Sequence, residues 1–440
     1  MLAKLNQQYQ RLLATKPSLY AEDLTKIYQD LEEQEIYYQG QVIPILYQPF
    51  FFSSAEIKQF TELGSRLSSI LVKVIERYLE KPEFRSYFAF SPQLEELILV
   101  DPGYSALAPM LRADIFYYGL DDFKLCELNT DGSSGMVKSN VLEKLFLQSA
   151  AVEDLNEEFG YSFAYNELIQ SWIDTLLKAY SEFDPHNTQP NIAIMDFDNL
   201  GMVSEFKYFQ QALREAGYQS VIVDPRELEY RNDALYYQDL KIDLIYRRAV
   251  TPDLMERYSE LDDLLAAYRQ QAVCLVGSFR SHIIHNKVLF ALLHDRQKTD
   301  FLSAADREFI EQHVPKTELL SDKRVTRKQL LNRQEELVLK PLDLYGAEGV
   351  YIGADLRKAE WRKIIDEIDF DDYLVQEFCP LPELELAVLD GKSLELQSYK
   401  YILGLFIYDF SFQGIYTRAG QQNVIASSTG CVTLPNLISY

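Results

Sequence analysis

The sequence predicts an α/β (α+β) protein, and three observations carry that expectation. Up to about Pro92 apolar residues recur at every third or fourth position, as in AEIKQFTELGSRLSSILVKVIERYLE, which is the spacing of amphipathic helices. From NIAIMDF through SEFKYFQQALREAGY, SVIVD and IDLIY, strand and helix patterns alternate, the order of a βαβ unit. Beyond Val325 short strands with alternating apolar and polar residues dominate.

Residues 1–95 are expected to form a helical N-terminal region. MLAKLNQQYQRLLATKPS has Leu2, Leu5, Tyr9 and Leu12 at helical spacing with charges interleaved, so it suits neither a signal peptide nor a membrane span. Leu97–Pro102 and Leu111–Leu128 read as strands, and MVKSNVLEKLFLQS as a helix with Val137, Val141, Leu142 and Leu145 on one face. These fall in a second segment, 96–185. FDPHNTQPN, residues 183–191, is a polar break containing two prolines. The following segment, 190–280, reads as Rossmann-like, with a helix starting at Ser204 and stopping near Gly217. It lacks GxGxxG, so topology alone gives no dinucleotide site. In the last segment, 281–440, HNKVLFALLHD reads as helix and EELVLKP, GVYIG, YLVQEF, LELAVLDGKSLELQSY, KYILGLFIYDF and GIYTRAG as strands. Asp390-Gly391 marks a tight hairpin.

Bulk composition excludes several function classes. The chain has 440 residues, 47% of them hydrophobic, enough for a large core. Its net charge of -24 repels nucleic acid and anionic lipid, and no Lys/Arg stripe compensates. Four cysteines, Cys126, Cys274, Cys379 and Cys431, lie far apart without CxxC spacing, which fits buried thiols in a reducing, cytoplasmic setting. Neither HExxH nor GxSxG occurs, against zinc hydrolysis and a serine nucleophile.

The stretch RADIFYYGLDDFKLCELN, Arg112–Asn129, carries the chemistry. Folded back about GLDD, it sets Arg112 opposite Asn129 and Asp114 opposite Glu127 on one face, with Ala113, Ile115, Cys126 and Leu128 on the other. Opposed carboxylates destabilise a sheet and raise one pKa unless a divalent cation lies between them. Asp, Glu and Asn oxygens are the hard ligands Mg²⁺ takes, alongside water and phosphate. The alternative is a solvent-facing pair with Arg112 bound to one carboxylate. TDGSSGM then leads into a helix, so backbone N–H groups and the Ser133 and Ser134 hydroxyls gather where an anion is favoured; a serine cap is the structural alternative.

RxD followed by ExNTDGSSG resembles the magnesium-binding strand pair of the glutathionylspermidine synthase-like, circularly permuted ATP-grasp ligases. HNKVLFALL, LVLKPLDLYGAEGVYIG, YLVQEFCPLP and GIYTRAG resemble, in order, that family's Asn-Lys segment, lysine strand with glycine-rich phosphate loop, adenine hinge and late arginine strand. The likeness runs from about Asp101 to Asn436. It implies a permuted ATP-grasp fold with a Rossmann-like pre-ATP-grasp domain. It also implies an ATP-dependent, Mg²⁺-requiring carboxylate–amine ligase acting through an acyl phosphate. By the same resemblance Asp114, Glu127 and Asn129 would be metal ligands, and Arg112, with Ser133 and Ser134, would meet the substrate carboxylate or acyl phosphate. Lys287, Lys340, Gly346, Gly349, Gln376, Glu377 and Arg418 would hold ATP, with Asn423 beside Arg418; Arg112 and Arg418 would be catalytic.

No thiol amidase Cys/His pairing accompanies these motifs. Tandem Arg247-Arg248 reads either as structural partners of an acidic chain or as substrate contacts. The expected partners are a small carboxylate or short peptide and an amine, with no nucleic acid and no membrane, and a homodimer stays open. Two other functions remain compatible with the residues: a small-molecule kinase using the same site, and a non-catalytic ATP-binding module.

Overall fold

Two helices, α1 (Leu2–Thr15) and α2 (Pro17–Glu33), open the chain in a computed structural model of the protein, which describes all residues except 1, 199–201, 323, 343–347, 392 and 427–428. Leu5, Tyr9, Leu12, Tyr20, Ile27 and Leu31 are buried, as the helical spacing requires. A two-strand hairpin, Tyr37–Tyr38 with Gln41–Val42, follows. Then come strand β1 (Phe50–Ser53) and helix α3 (Ser54–Glu80), whose start is fixed by a reciprocal Ser53/Glu56 capping box.

Leu97–Leu99, expected as strand, instead end helix α4 (Pro92–Leu99). The Ser91 hydroxyl accepts from the Leu94 N–H and Pro92 occupies the first turn, and these start signals outweigh the local apolar run. Strands β2 (Met110–Gly119) and β3 (Asp122–Asn129) form the anticipated hairpin. Helix α5 (Met136–Leu147) follows, then α6 (Leu168–Phe183).

Strand β4 (Ile192–Met195), helix α7 (Val203–Glu215), β5 (Ser220–Val223), β6 (Leu244–Arg247) and β7 (Cys274–Val276) build an all-parallel sheet in the order β7-β6-β4-β5. This is the expected Rossmann-like unit. Helix α7 starts at Val203 with Met202 as its cap, so Ser204 is no cap: its hydroxyl donates to the Tyr37 carbonyl. Helix α8 (Val288–His294) leads to an antiparallel sheet of β8 (Thr317–Leu319), β9 (Leu337–Pro341), β10 (Tyr351–Ile352) and β11 (Tyr373–Glu377), ordered β8-β11-β9-β10.

The remaining strands are β12 (Glu383–Asp390), β13 (Ser393–Tyr408), β14 (Ser411–Gly420), β15 (Val432–Leu434) and β16 (Asn436–Ser439). β13 joins in one 16-residue strand what the sequence pattern divides in two. It pairs with β2 and β14, giving the sheet order β15-β14-β13-β2-β3, with β12 also on β13. Gly391, at φ +58°, makes the tight turn between β12 and β13. Finally β16 runs parallel to β1, tying the late strands to the helical N-terminal segment. Among the described residues no helix is long and apolar enough to cross a membrane.

Candidate active site

The β2–β3 register pairs Arg112 with Asn129, Ala113 with Leu128 and Asp114 with Glu127, as the alternation requires. The next pair is Ile115 with Leu125, so a β-bulge leaves Cys126 as the extra residue. Cys126, expected on the apolar face, therefore lines the cavity beside Glu127. Burial pushes its thiol up to about 12, keeping it protonated.

Asp114 is fully buried, and its carboxylate is not balanced against Glu127 alone. Arg112 Nε and Nη2 donate to its two oxygens at 2.7 and 3.1 Å, and Arg418 Nη2 donates to Oδ2 at 2.5 Å. Burial pushes the carboxyl up, but the two guanidiniums together outweigh it and hold it at about 2. The ring of Tyr416 backs both cations, with the guanidinium carbons of Arg112 and Arg418 at 5.7 and 5.2 Å from its centroid. Tyr416 stands two residues before Arg418 on β14, so period-2 alternation places both on one face. That signal was available in GIYTRAG.

The expected repulsion is thus resolved by two arginines in the protein itself. Glu127 keeps a different environment: its Oε1 accepts from Asn129 Nδ2 at 3.2 Å. Glu127 and Asn129 present hard oxygens at the cavity wall and so fit Mg²⁺, while both Asp114 oxygens are engaged by guanidiniums. Among the described residues no group of three or more His, Cys, Asp or Glu forms a metal cluster.

The loop after Asn129 is pinned from below. Asp131 is buried against Arg247 Nη2 at 2.8 Å and accepts from the Thr251 and Ser281 hydroxyls. Arg248 pairs with Glu205 at 2.9 Å and donates to the Ser133 carbonyl, and Arg112 Nη1 donates to the Ser134 carbonyl at 2.6 Å. Both tandem arginines are therefore structural partners. Gly135, not a serine, caps α5, at φ +103°, and its N–H donates to Glu205 Oε1. A Cβ on Gly135 would lie 2.5 Å from the Tyr416 ring, so only glycine fits there.

These pieces surround one cavity of about 410 Å³, a size suited to a small molecule. Arg112, Asp114, Glu127, Asn129, Ser133, Ser134, Lys287, Lys340, Gln376, Glu377, Arg418 and Asn423 all line it. Gly346 lies outside the described residues. Gly349 has φ +69°, and its neighbour Val350 rather than Gly349 itself reaches the wall. Lys340 Nζ donates to the Cys126 carbonyl at 3.2 Å. The Gln376 amide is spent on Thr317 Oγ1, and the Glu377 and Phe378 N–H groups on the Lys316 and Glu336 carbonyls. Phe116, Val338, Ile352, Leu381, Ile402 and Ile425 line the same cavity and give it an apolar slot. Among the described residues the Arg418 Nε is buried without a hydrogen-bond partner, an orphaned donor at the charged wall. Sequence reasoning missed Tyr38, Asp131 and His285, which also line the cavity.

The model of the glutathionylspermidine synthase preATP-grasp family matches residues 18–438. The chain belongs to this family. Its fold is accordingly the permuted ATP-grasp arrangement, and membership supports an ATP-dependent ligase. Among solved structures, D-cycloserine synthetase DcsG matches at 15% identity and a TM-score of 0.25, over 48% of this chain and 67% of that one. No curated protein matches the chain in sequence.

Proposed function

We propose that the protein is an ATP-dependent carboxylate–amine ligase that works through an acyl phosphate, with the segments 96–185 and 281–440 forming its nucleotide site, 190–280 the pre-ATP-grasp unit and 1–95 a helical flank. What carries the reading is the meeting in one cavity of four cationic side chains, two hard-oxygen donors and an apolar slot. The slot suits a purine base, and Lys287 and Lys340 suit its phosphates as point charges. Glu127 and Asn129, with Asp114 next to them, would hold Mg²⁺, which when bound neutralises charge on phosphate oxygens.

Arg112, whose Nε and Nη2 hold Asp114 and whose Nη1 holds the Ser134 carbonyl, keeps one N–H on each terminal nitrogen for the attacking carboxylate. A carboxylate oxygen attacks the γ-phosphorus, the bond to ADP breaks, and the acyl phosphate forms. An amine then attacks the acyl carbon and phosphate leaves, giving an amide. Arg418, with Nε lacking a partner among the described residues, is suited to the charge that develops on the transferring phosphoryl group. No covalent enzyme intermediate is needed. Positioning and charge neutralisation do the chemistry.

The test is ADP release across a panel of amino acids, short peptides and polyamines. A ligase releases ADP only with an acid and an amine together; a kinase releases it with one acceptor alone. Turnover that survives Glu127→Gln would overturn the metal assignment.

A further inference from the structure

Helix α5 carries a lysine at its third position, Lys138, that is only 3% exposed. Its ammonium makes no hydrogen bond or ion pair among the described residues; its contact is the ring of Tyr38, whose centroid lies 4.7 Å from Nζ. Two effects disfavour this placement. Drawing an ammonium out of bulk water without a counter-ion is unfavourable, and a cation in the first helical turn opposes the positive end of the helix dipole. The cation–π contact offsets only part of that. The buried carboxylates of this wall are already engaged, Asp114 by both Arg112 and Arg418 and Glu205 by Arg248.

Tyr38 lines the same cavity as Gly132, Ser133 and Ser134, the residues that lead into α5. Lys138 lies one helical turn beyond Ser134, whose carbonyl is held by Arg112 at 2.6 Å. We propose that Lys138 and Tyr38 form a subsite for a second anionic group on the acid substrate. This rests on the ligase reading and names its substrate class: a dianionic acid, one carboxylate at Arg112 for activation, the other group at Lys138 for selection. The N-terminal hairpin thereby supplies a specificity residue.

The experiment uses ligand-induced thermal shifts without nucleotide, at matched ionic strength, with acetate, succinate and glutarate as probes. Wild type should bind succinate or glutarate with at least about tenfold lower half-saturation than acetate, a step of one charged contact. Lys138→Met should lose that preference, and Lys138→Arg should keep it. Without ligand, Lys138→Met should melt at or above the wild-type temperature, since an unbalanced charge has gone. ATP shifts should be the same in all three proteins, which separates failure of this subsite from failure of the nucleotide reading. No preference in wild type, an unchanged preference in Lys138→Met, or a Lys138→Met protein that melts earlier or does not fold would overturn the proposal.

Discussion

Gly404 on β13 faces Asp114 on β2 as its register partner, and a Cβ on Gly404 would lie 2.8 Å from Arg112 Cδ and 2.9 Å from Asp114 Oδ1. The missing side chain makes room for the ion pair. Gly404→Ala should therefore shift Arg112 and Asp114 together, lower stability by about 1–3 kcal/mol, and reduce ADP release. Urea unfolding and steady-state turnover check the two effects.

Asp114 and Glu127 should respond differently to amide substitution. Asp114→Asn leaves two buried guanidiniums without an anion, so a loss of about 3–5 kcal/mol is expected, with turnover abolished. Glu127→Gln keeps the contact with Asn129 and should leave stability within about 0.5 kcal/mol while removing Mg²⁺-dependent turnover. Equal stabilities of the two variants in chemical denaturation would contradict this division.

Arg247→Met and Arg248→Met each break a buried pair, with Asp131 and Glu205 respectively. Each should lower stability by about 3–5 kcal/mol and loosen the loop carrying Ser133 and Ser134. Hydrogen exchange of the amides of residues 131–135 should rise in both variants.

Glu143 on α5 is buried, and its Oε1 accepts from the Asn436 side chain at 2.7 Å. Burial raises its carboxyl well above the ordinary range, more than the Asn436 contacts lower it. A raised folded pKa means that its stabilising effect is complete below the unfolded carboxylate value and fades as pH rises through the folded one. Glu143→Gln keeps the acceptor and should melt higher than wild type at alkaline pH, with a flatter dependence of Tm on pH. Parallel pH profiles would refute it.

The hairpin register was legible because the period-2 alternation of residue types leaves a single pairing that puts Ala113 and Leu128 together on the apolar face, although the structure buries Arg112 and Asp114 on the other face as well. The bulge at Cys126 was not, because an inserted residue breaks the alternation without marking it in the residue types. The βαβ unit was legible from its apolar runs; Leu97–Leu99 misled because a short apolar run has no period of its own. The cavity's charged residues could be read from short motifs. Asp131 and His285 stood inside those motifs but were passed over for their neighbours; Tyr38 could not be read so, since nothing local to a stretch of chain records which distant stretch it faces. The repulsion argument failed for the same reason: Arg418 reaches Asp114 across 304 positions of sequence.

Because one Tyr416 ring backs both Arg112 and Arg418, and one carboxylate takes hydrogen bonds from each, the two cations act as a unit. Removing either reorients the other, so kinetic losses from the single variants will overlap, and the double variant will fall short of their product.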